Sequence, residues 1–413
     1  MLSSVALWPV AGMLAMLPKA LAGFDPASSK NVAVYWGQNS YNQGSGPLAQ
    51  QRLSKYCSNP DIDIILIAFM NGIDPPITNF ANAGDNCTVF KDTNLLSCPQ
   101  IEEDIKSCQA DGKTILLSLG GATYSQGGWR NEGDAQEAAQ LVWDMFGPPP
   151  GNAVKRPFGT AVVDGFDLDF EATTNDLPAF AQKLRSLMDG AGDKKRLLSA
   201  APQCVFPDAA NGAALDAVPF DILMIQFYNN WCGVSNFRVD STTQDAFNFD
   251  VWDGWAKKTS PNKNVKLLVG IPAASGAGGG YTSGPKLAAA IKFSQKFTNF
   301  GGIMMWDMSQ LYSNIGLLGE VKSILSGSPT NSTTSTSSTS STSTSSTSTS
   351  STSSTSSTST SATLTSTVRP CGGNTGTTGT TVTTTTTTSS APPREATSCP
   401  RGGSARRRGT RGL

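Results

Sequence analysis

Of 413 residues, 38% are apolar, enough for one large domain or two ordinary ones, yet the stretch after residue 327 is almost entirely Ser and Thr and can bury no core. The balanced 31 basic and 31 acidic residues hide an asymmetry: seven Arg and one Glu follow residue 327, so that stretch carries about +6 and the rest about −6, which argues against nucleic acid or an anionic membrane as partner of the folded part. Histidine is absent, which excludes Ser-His-Asp and Cys-His triads, His general bases and almost every usual catalytic zinc site, and leaves acid–base chemistry to carboxylates, Tyr or Lys.

Residues 5–17 form an apolar run interrupted only by Pro9 and Gly12, and Ala20-Leu21-Ala22 supplies the small-x-small pattern of a secretory cleavage site. Residues 1–22 are therefore expected to be a signal peptide. A membrane anchor is the alternative, but the run is short of the ~20 residues a span needs, and no other segment could cross a bilayer.

Eight runs rich in β-branched and aliphatic residues follow, at 31–37, 63–70, 113–120, 163–171, 197–203, 220–228, 266–272 and 301–308. Strands so continuously apolar are buried on both faces. Between them lie helical spacings with start signals: Ser97-Cys98-Pro99-Gln100 before Ile101, Asp134 before Ala138, Asp176 before Phe180, and Ser283 before Leu287. The alternation predicts an α/β domain over residues 23–327, closed as a (β/α)8 TIM barrel. A doubly wound open sheet is the alternative, weakened by the lack of a phosphate-binding Gly fingerprint after the first strand.

The folded part holds an even set of six cysteines, as expected of an oxidising compartment. Six permit 15 pairings. Barrel topology favours three local ones: Cys57 with Cys108 at the ends of neighbouring helices, Cys87 with Cys98 inside one long loop, and Cys204 with Cys232 on adjacent loops. Residues 328–413 read as a disordered, O-glycosylated stalk with a basic end. Asn86-Cys87-Thr88 and Asn331-Ser332-Thr333 are glycosylation sequons, the first compromised if Cys87 is bridged. Cys371 and Cys399 either pair or belong to a small C-terminal module. The end of the chain, Arg406 to Leu413, lacks the hydrophobic tail of a lipid-anchor signal.

The segment that carries chemistry is Asp164-Gly165-Phe166-Asp167-Leu168-Asp169-Phe170-Glu171. Strand alternation puts Asp167, Asp169 and Glu171 on one face, which in a barrel points inward because Phe166, Leu168 and Phe170 suit the layer beneath the helices. Carboxylates crowded in a low-dielectric interior should raise at least one pKa and keep an acid protonated near neutral pH. A solvated or calcium-binding edge is the competing reading, but metal loops carry Gly and Asn between their acids rather than large apolar residues. Glu171 lies furthest toward the C-terminal end of the strand, where barrel active sites are built.

This segment resembles the DxxDxDxE signature of glycoside hydrolase family 18, and residues 30–318 are similar to the class III, hevamine-type chitinases of plants and fungi. The likeness extends to Tyr35-Trp36-Gly37-Gln38-Asn39, Ser118-Leu119-Gly120-Gly121, Ala201-Pro202-Gln203-Cys204, Gln226-Phe227-Tyr228-Asn229-Asn230 and Met305-Trp306-Asp307. The resemblance implies a retaining, substrate-assisted hydrolysis of β-1,4-linked N-acetylglucosamine polymers. In it Glu171 is the proton donor, Asp169 orients the acetamido group, Asp167 shares a proton with Asp169, and Tyr228 hydrogen-bonds the acetamido group. Spacing alone does not distinguish this from Asp169 as direct nucleophile. Tyr35 and Trp306 are expected at the mouth as stacking faces, each with core packing as the alternative, and Gln38, Asn71, Gly121 and Gln226 as polar or backbone partners of the sugar. Trp231, Trp252 and Trp255 are expected to be structural or loop residues. No cofactor or metal is implied. The expected partner is chitin or a related polysaccharide, and the expected form is a secreted or wall-associated monomer. A chitin-binding, lectin-like barrel without activity is the second reading; an enzyme acting on glycoprotein cores or peptidoglycan is the third.

Overall fold

In the computed structural model of the protein, which describes residues 23–151 and 154–328, all eight apolar runs are strands. They are β1 (Asn31–Trp36), β2 (Ile64–Met70), β3 (Thr114–Gly120), β4 (Gly165–Asp169), β5 (Leu197–Ala200), β6 (Ile222–Gln226), β7 (Lys266–Pro272) and β8 (Phe300–Trp306). Each pairs in parallel with its sequence neighbour, and β8 returns to β1 with Asn31 opposite Gly302 and Val34 opposite Met305, so the sheet closes. Gly302 makes that closure possible: at φ +142° it presses its backbone against β1, and a Cβ there would lie 1.9 Å from the Asn31 carbonyl oxygen. Closure excludes the doubly wound alternative.

Alternation along each strand sorts the apolar residues into two layers. Ala33, Ile64, Leu66, Leu116, Ile222, Met224, Leu268 and Met304 fill the barrel interior. Val34, Ile65, Leu117, Phe166, Leu168, Ile225 and Val269 face outward and are covered by helices. These are α1 (Ser54–Cys57), α2 (Pro99–Ala110), α3 (Glu132–Phe146), α4 (Leu177–Gly190), α5 (Gly212–Ala217), α6 (Phe249–Lys258), α7 (Gly284–Ser294), α8 (Met308–Ser313) and α9 (Leu317–Ser326). One start signal is displaced. The cap of α3 is Asn131, whose side chain accepts from the Asp134 N–H at 3.0 Å, so Asp134 sits inside the first turn rather than before it.

The three expected disulfides are present: Cys57–Cys108, Cys87–Cys98 and Cys204–Cys232. The last ties the loops after β5 and β6 together at the C-terminal end of the barrel. No helix among the described residues is long and apolar enough to cross a membrane. The expected signal peptide, the stalk from residue 329, the sequon at Asn331, Cys371, Cys399 and the basic end lie outside the described residues.

The separation of 51 residues between Cys57 and Cys108, against 11 for Cys87 and Cys98, ranks their contributions. Chain-entropy arguments assign about 4 kcal/mol to the longer loop and about 3 to the shorter. Replacing Cys57 and Cys108 together by Ser is therefore expected to lower the denaturation midpoint more than replacing Cys87 and Cys98, as read by denaturant titration.

Candidate active site

Because adjacent barrel strands are in register, Ser118 of β3, Asp167 of β4 and Ser199 of β5 stand side by side. All three point inward. One Asp167 carboxylate oxygen accepts from the Ser118 hydroxyl at 2.7 Å and from the Tyr35 hydroxyl at 2.8 Å, and the other from the Ser199 hydroxyl at 2.7 Å. Asp167 has no exposed surface. Burial raises its pKa, while the three hydroxyl donors oppose that rise and favour the ionised form.

One pleat further up, Asp169 is 3% exposed and accepts, among the described residues, a single hydrogen bond, from the Gln226 side-chain amide at 3.0 Å. Its carboxyl is pushed well above the ordinary range, first by burial and then by the negative charges of Glu171 and Asp167. With three donors on Asp167 and one on Asp169, a proton retained by the row resides on Asp169. Glu171 stands beyond the last ladder residue of β4 and is the exposed member. Its pKa is raised too, by the desolvation of the surrounding wall against the Gln226 amide, which also reaches it at 3.4 Å. The Tyr228 phenol, beside the row, is held well above its usual value by burial and by the Asp169, Glu171 and Asp167 charges, so it remains a neutral donor. A protonatable carboxyl at an open mouth, above a second that shares its charge load, is an arrangement for donating a proton to a bound leaving group.

Residues 31–289 match Glycosyl hydrolases family 18. The chain belongs to this family. It is 59% identical over 322 residues to Endochitinase 33 of Trichoderma harzianum, covering 78% of this chain and 99% of that protein. Among solved structures it is similar to the ICChI chitinase of Ipomoea carnea, with a TM-score of 0.56 and 26% identity over 71% of this chain and 99% of that one. It is equally similar to a xylanase and alpha-amylase inhibitor protein of Scadoxus multiflorus, with a TM-score of 0.56 and 27% identity over 72% and 98%.

Within this family 18 barrel, other expected site residues take different places. Tyr35, expected as a stacking face, is 1% exposed and lies beneath the mouth as a donor to Asp167. Packing 5.5 Å from Trp306, it leaves the half-buried Trp306 as the face on the surface side. Gln38 spends its side-chain amide on the carbonyls of Gly37, Ala68 and Asn79, tying β1 to β2. Gly121 has its N–H committed to the Asp169 carbonyl at 2.7 Å, and a Cβ there would press on the Phe69 ring at 2.8 Å, so it braces the end of β4 rather than offering a free donor. Asn71 has its side-chain oxygen buried at the strand end without a hydrogen-bond partner among the described residues. Trp252 and Trp255 are buried in the fold and Trp231, 56% exposed, lies on the loop after β6, the structural and loop places expected of them.

Phe69, Ser118 and Ser199 were not singled out. Phe69 stacks on Trp306 at 5.8 Å, although simple alternation after Ile65 and Ile67 assigns it outward. A register shift between Ala68 and Met70 turns it in. The serines lay within quoted or apolar runs, and only strand register places them against Asp167.

A carboxyl whose pKa is raised on folding makes the folded state bind its proton more tightly, so stability falls as pH climbs from near 4 toward the raised value. Asp169→Asn removes that penalty and keeps an oxygen for Gln226. It is expected to melt a few degrees higher than wild type at neutral pH and to lose the advantage near pH ~4, as followed by calorimetry across pH.

Proposed function

We propose that the protein is a secreted endochitinase that hydrolyses β-1,4-linked N-acetylglucosamine polymers with retention of configuration. Glu171 protonates the glycosidic oxygen. The substrate's N-acetyl carbonyl oxygen attacks the anomeric carbon as the C–O bond breaks, giving an oxazolinium-type intermediate, and the deprotonated Glu171 then activates the water that opens it. Asp169 accepts from the acetamido N–H and, by sharing its proton with Asp167 beneath it, gains the negative charge that stabilises the developing positive one. Tyr228 donates to the acetamido oxygen. Trp306 forms the floor on which the sugar ring stacks, and Asn71, with its unpartnered side-chain oxygen, is the polar partner beside it.

The observation that carries this reading is the intact row, with Glu171 exposed, its pKa raised by desolvation, above the buried Asp169. A chitin-binding barrel without activity is the reading to be tested against. The name of the Trichoderma protein supports chitin as substrate. Residues 1–22 as a signal peptide, 23–327 as the catalytic barrel and 328–413 as a Ser/Thr-rich stalk accord with a monomer acting outside the cell or at its wall, and the three disulfides support that placement.

Glu171→Gln is expected to lower kcat on a soluble N-acetylglucosamine oligomer by about 10² to 10⁴ while retaining binding, in a paired turnover and calorimetric binding assay on the full chain. Binding of chitin by both proteins with turnover by neither would favour the lectin-like reading. Wild-type turnover by the variant would remove Glu171 from the acid's role.

A further inference from the structure

The ladder of β4 ends at Asp169, so Phe170 and Glu171 need another anchor. The Phe170 carbonyl finds one in the side-chain amide of Asn211, which donates to it at 2.9 Å across 41 residues of sequence. Asn211 is itself buried and is held by Asp208, which accepts from the Asn211 backbone N–H at 2.6 Å and from its side-chain amide at 3.2 Å. Asp208 also accepts from the N–H groups of Gln203 at 3.0 Å and Ala210 at 3.1 Å, which closes the loop after β5.

As a turn cap, Asp208 uses both carboxylate oxygens as acceptors, one for the Ala210 and Asn211 N–H groups and the Asn211 side-chain amide, the other for the Gln203 N–H. It is 8% exposed, and no Lys or Arg among the described residues forms a salt bridge with it. Burying an unbalanced charge is costly, and such charges concentrate where a site uses them.

We propose that Asp208 and Asn211 are a positioning pair for the acid: Asn211 fixes the peptide from which Glu171 extends, and Asp208 holds Asn211 while setting another negative charge beside the acid. The proposal rests on Glu171 being the proton donor. The Asp208 charge adds to the desolvation that favours the protonated form of Glu171, and the Gln226 amide opposes both. The other titratable groups around the row are Asp167 and Asp169 on the same strand, Tyr35 on β1, Tyr228 after β6 and Asp307 after β8. Among the acids, Asp208 is the one brought in by the loop that also clamps Phe170.

The test is the pH dependence of kcat and KM on a soluble N-acetylglucosamine oligomer for the full-length wild type, Asp208→Asn, Asn211→Ala and Glu171→Gln. Asp208→Asn keeps the oxygen that Ala210 and Asn211 use, gives up the one that Gln203 uses and removes the charge, so the basic limb of the kcat profile is expected to move to lower pH. Asn211→Ala frees the Phe170 carbonyl and is expected to lower kcat about tenfold or more, with KM changed by no more than about twofold. If Asp208→Asn loses rate without moving the limb, Asp208 is a turn cap only and the proposal fails. Should that variant not fold, Asn211→Ala carries the test alone, and an unchanged kcat overturns the clamp. Turnover by Glu171→Gln would overturn the acid assignment and the clamp with it; an inactive Glu171→Gln beside wild-type behaviour of the other two would overturn the clamp alone.

Discussion

A carboxylate with no access to water, Asp167, is the constraint around which the barrel interior is organised. An isolated buried charge costs several kcal/mol, and each hydrogen bond to a charged group returns roughly 1.5–3. Three hydroxyls, from Tyr35, Ser118 and Ser199, converge on it from three different strands. That convergence requires the closed parallel sheet, because only closure puts β1 across from β4, and only register puts Ser118 and Ser199 on either flank. With Asp167 satisfied as an anion, the next acid up the strand cannot easily ionise as well. The proton moves to Asp169, and the acidic character of the row is handed upward to Glu171 at the surface.

The same logic explains which residues near the mouth are scaffold and which remain free. Gln38, Gly121 and Tyr35 have their polar groups committed to protein partners, so they hold β1, β2 and the end of β4 in place. Trp306, Asn71, Tyr228 and Glu171 retain a face or an atom for a ligand. The loops after β5 and β6 are joined by the Cys204–Cys232 bridge, by the Asn230 side-chain amide donating to the Gln203 side chain at 3.1 Å and by the Asn248 side-chain amide donating to the Cys204 carbonyl at 2.8 Å. Those two loops carry Asp208, Asn211 and Tyr228, so the groups that surround Glu171 from outside its own strand are fixed relative to one another. Rigid support of this kind is what proton transfer to a positioned oxygen needs.

Much of this was legible from residues alone, for physical reasons that also set the limits. Strands buried on both faces leave continuous apolar runs, and the period of two placed Asp167, Asp169 and Glu171 on one face. Side-by-side neighbours in a barrel explain why the local disulfide pairing was readable. What could not be read depended on relations between strands. Ser118 and Ser199 acquire meaning only through register, Phe69 turns inward only because of the shift at Ala68 and Met70, and Tyr35 moved from stacking face to buried donor because Trp306 covers it. Asn211, far from the acids in sequence and unremarkable in type, is found only by following the Phe170 carbonyl.

The central claim, that the row keeps a proton which isolated carboxyls would release, can be measured directly by carbon-13 NMR titration of the labelled Asp and Glu carboxyls in the ligand-free protein, assigned by Asp167→Asn, Asp169→Asn and Glu171→Gln. The account predicts that the Asp169 carboxyl stays protonated well above the ordinary carboxylate range and that its titration shifts down when Glu171 is made neutral. Three ordinary titrations, each near the value of an exposed carboxyl and indifferent to the others, would contradict it.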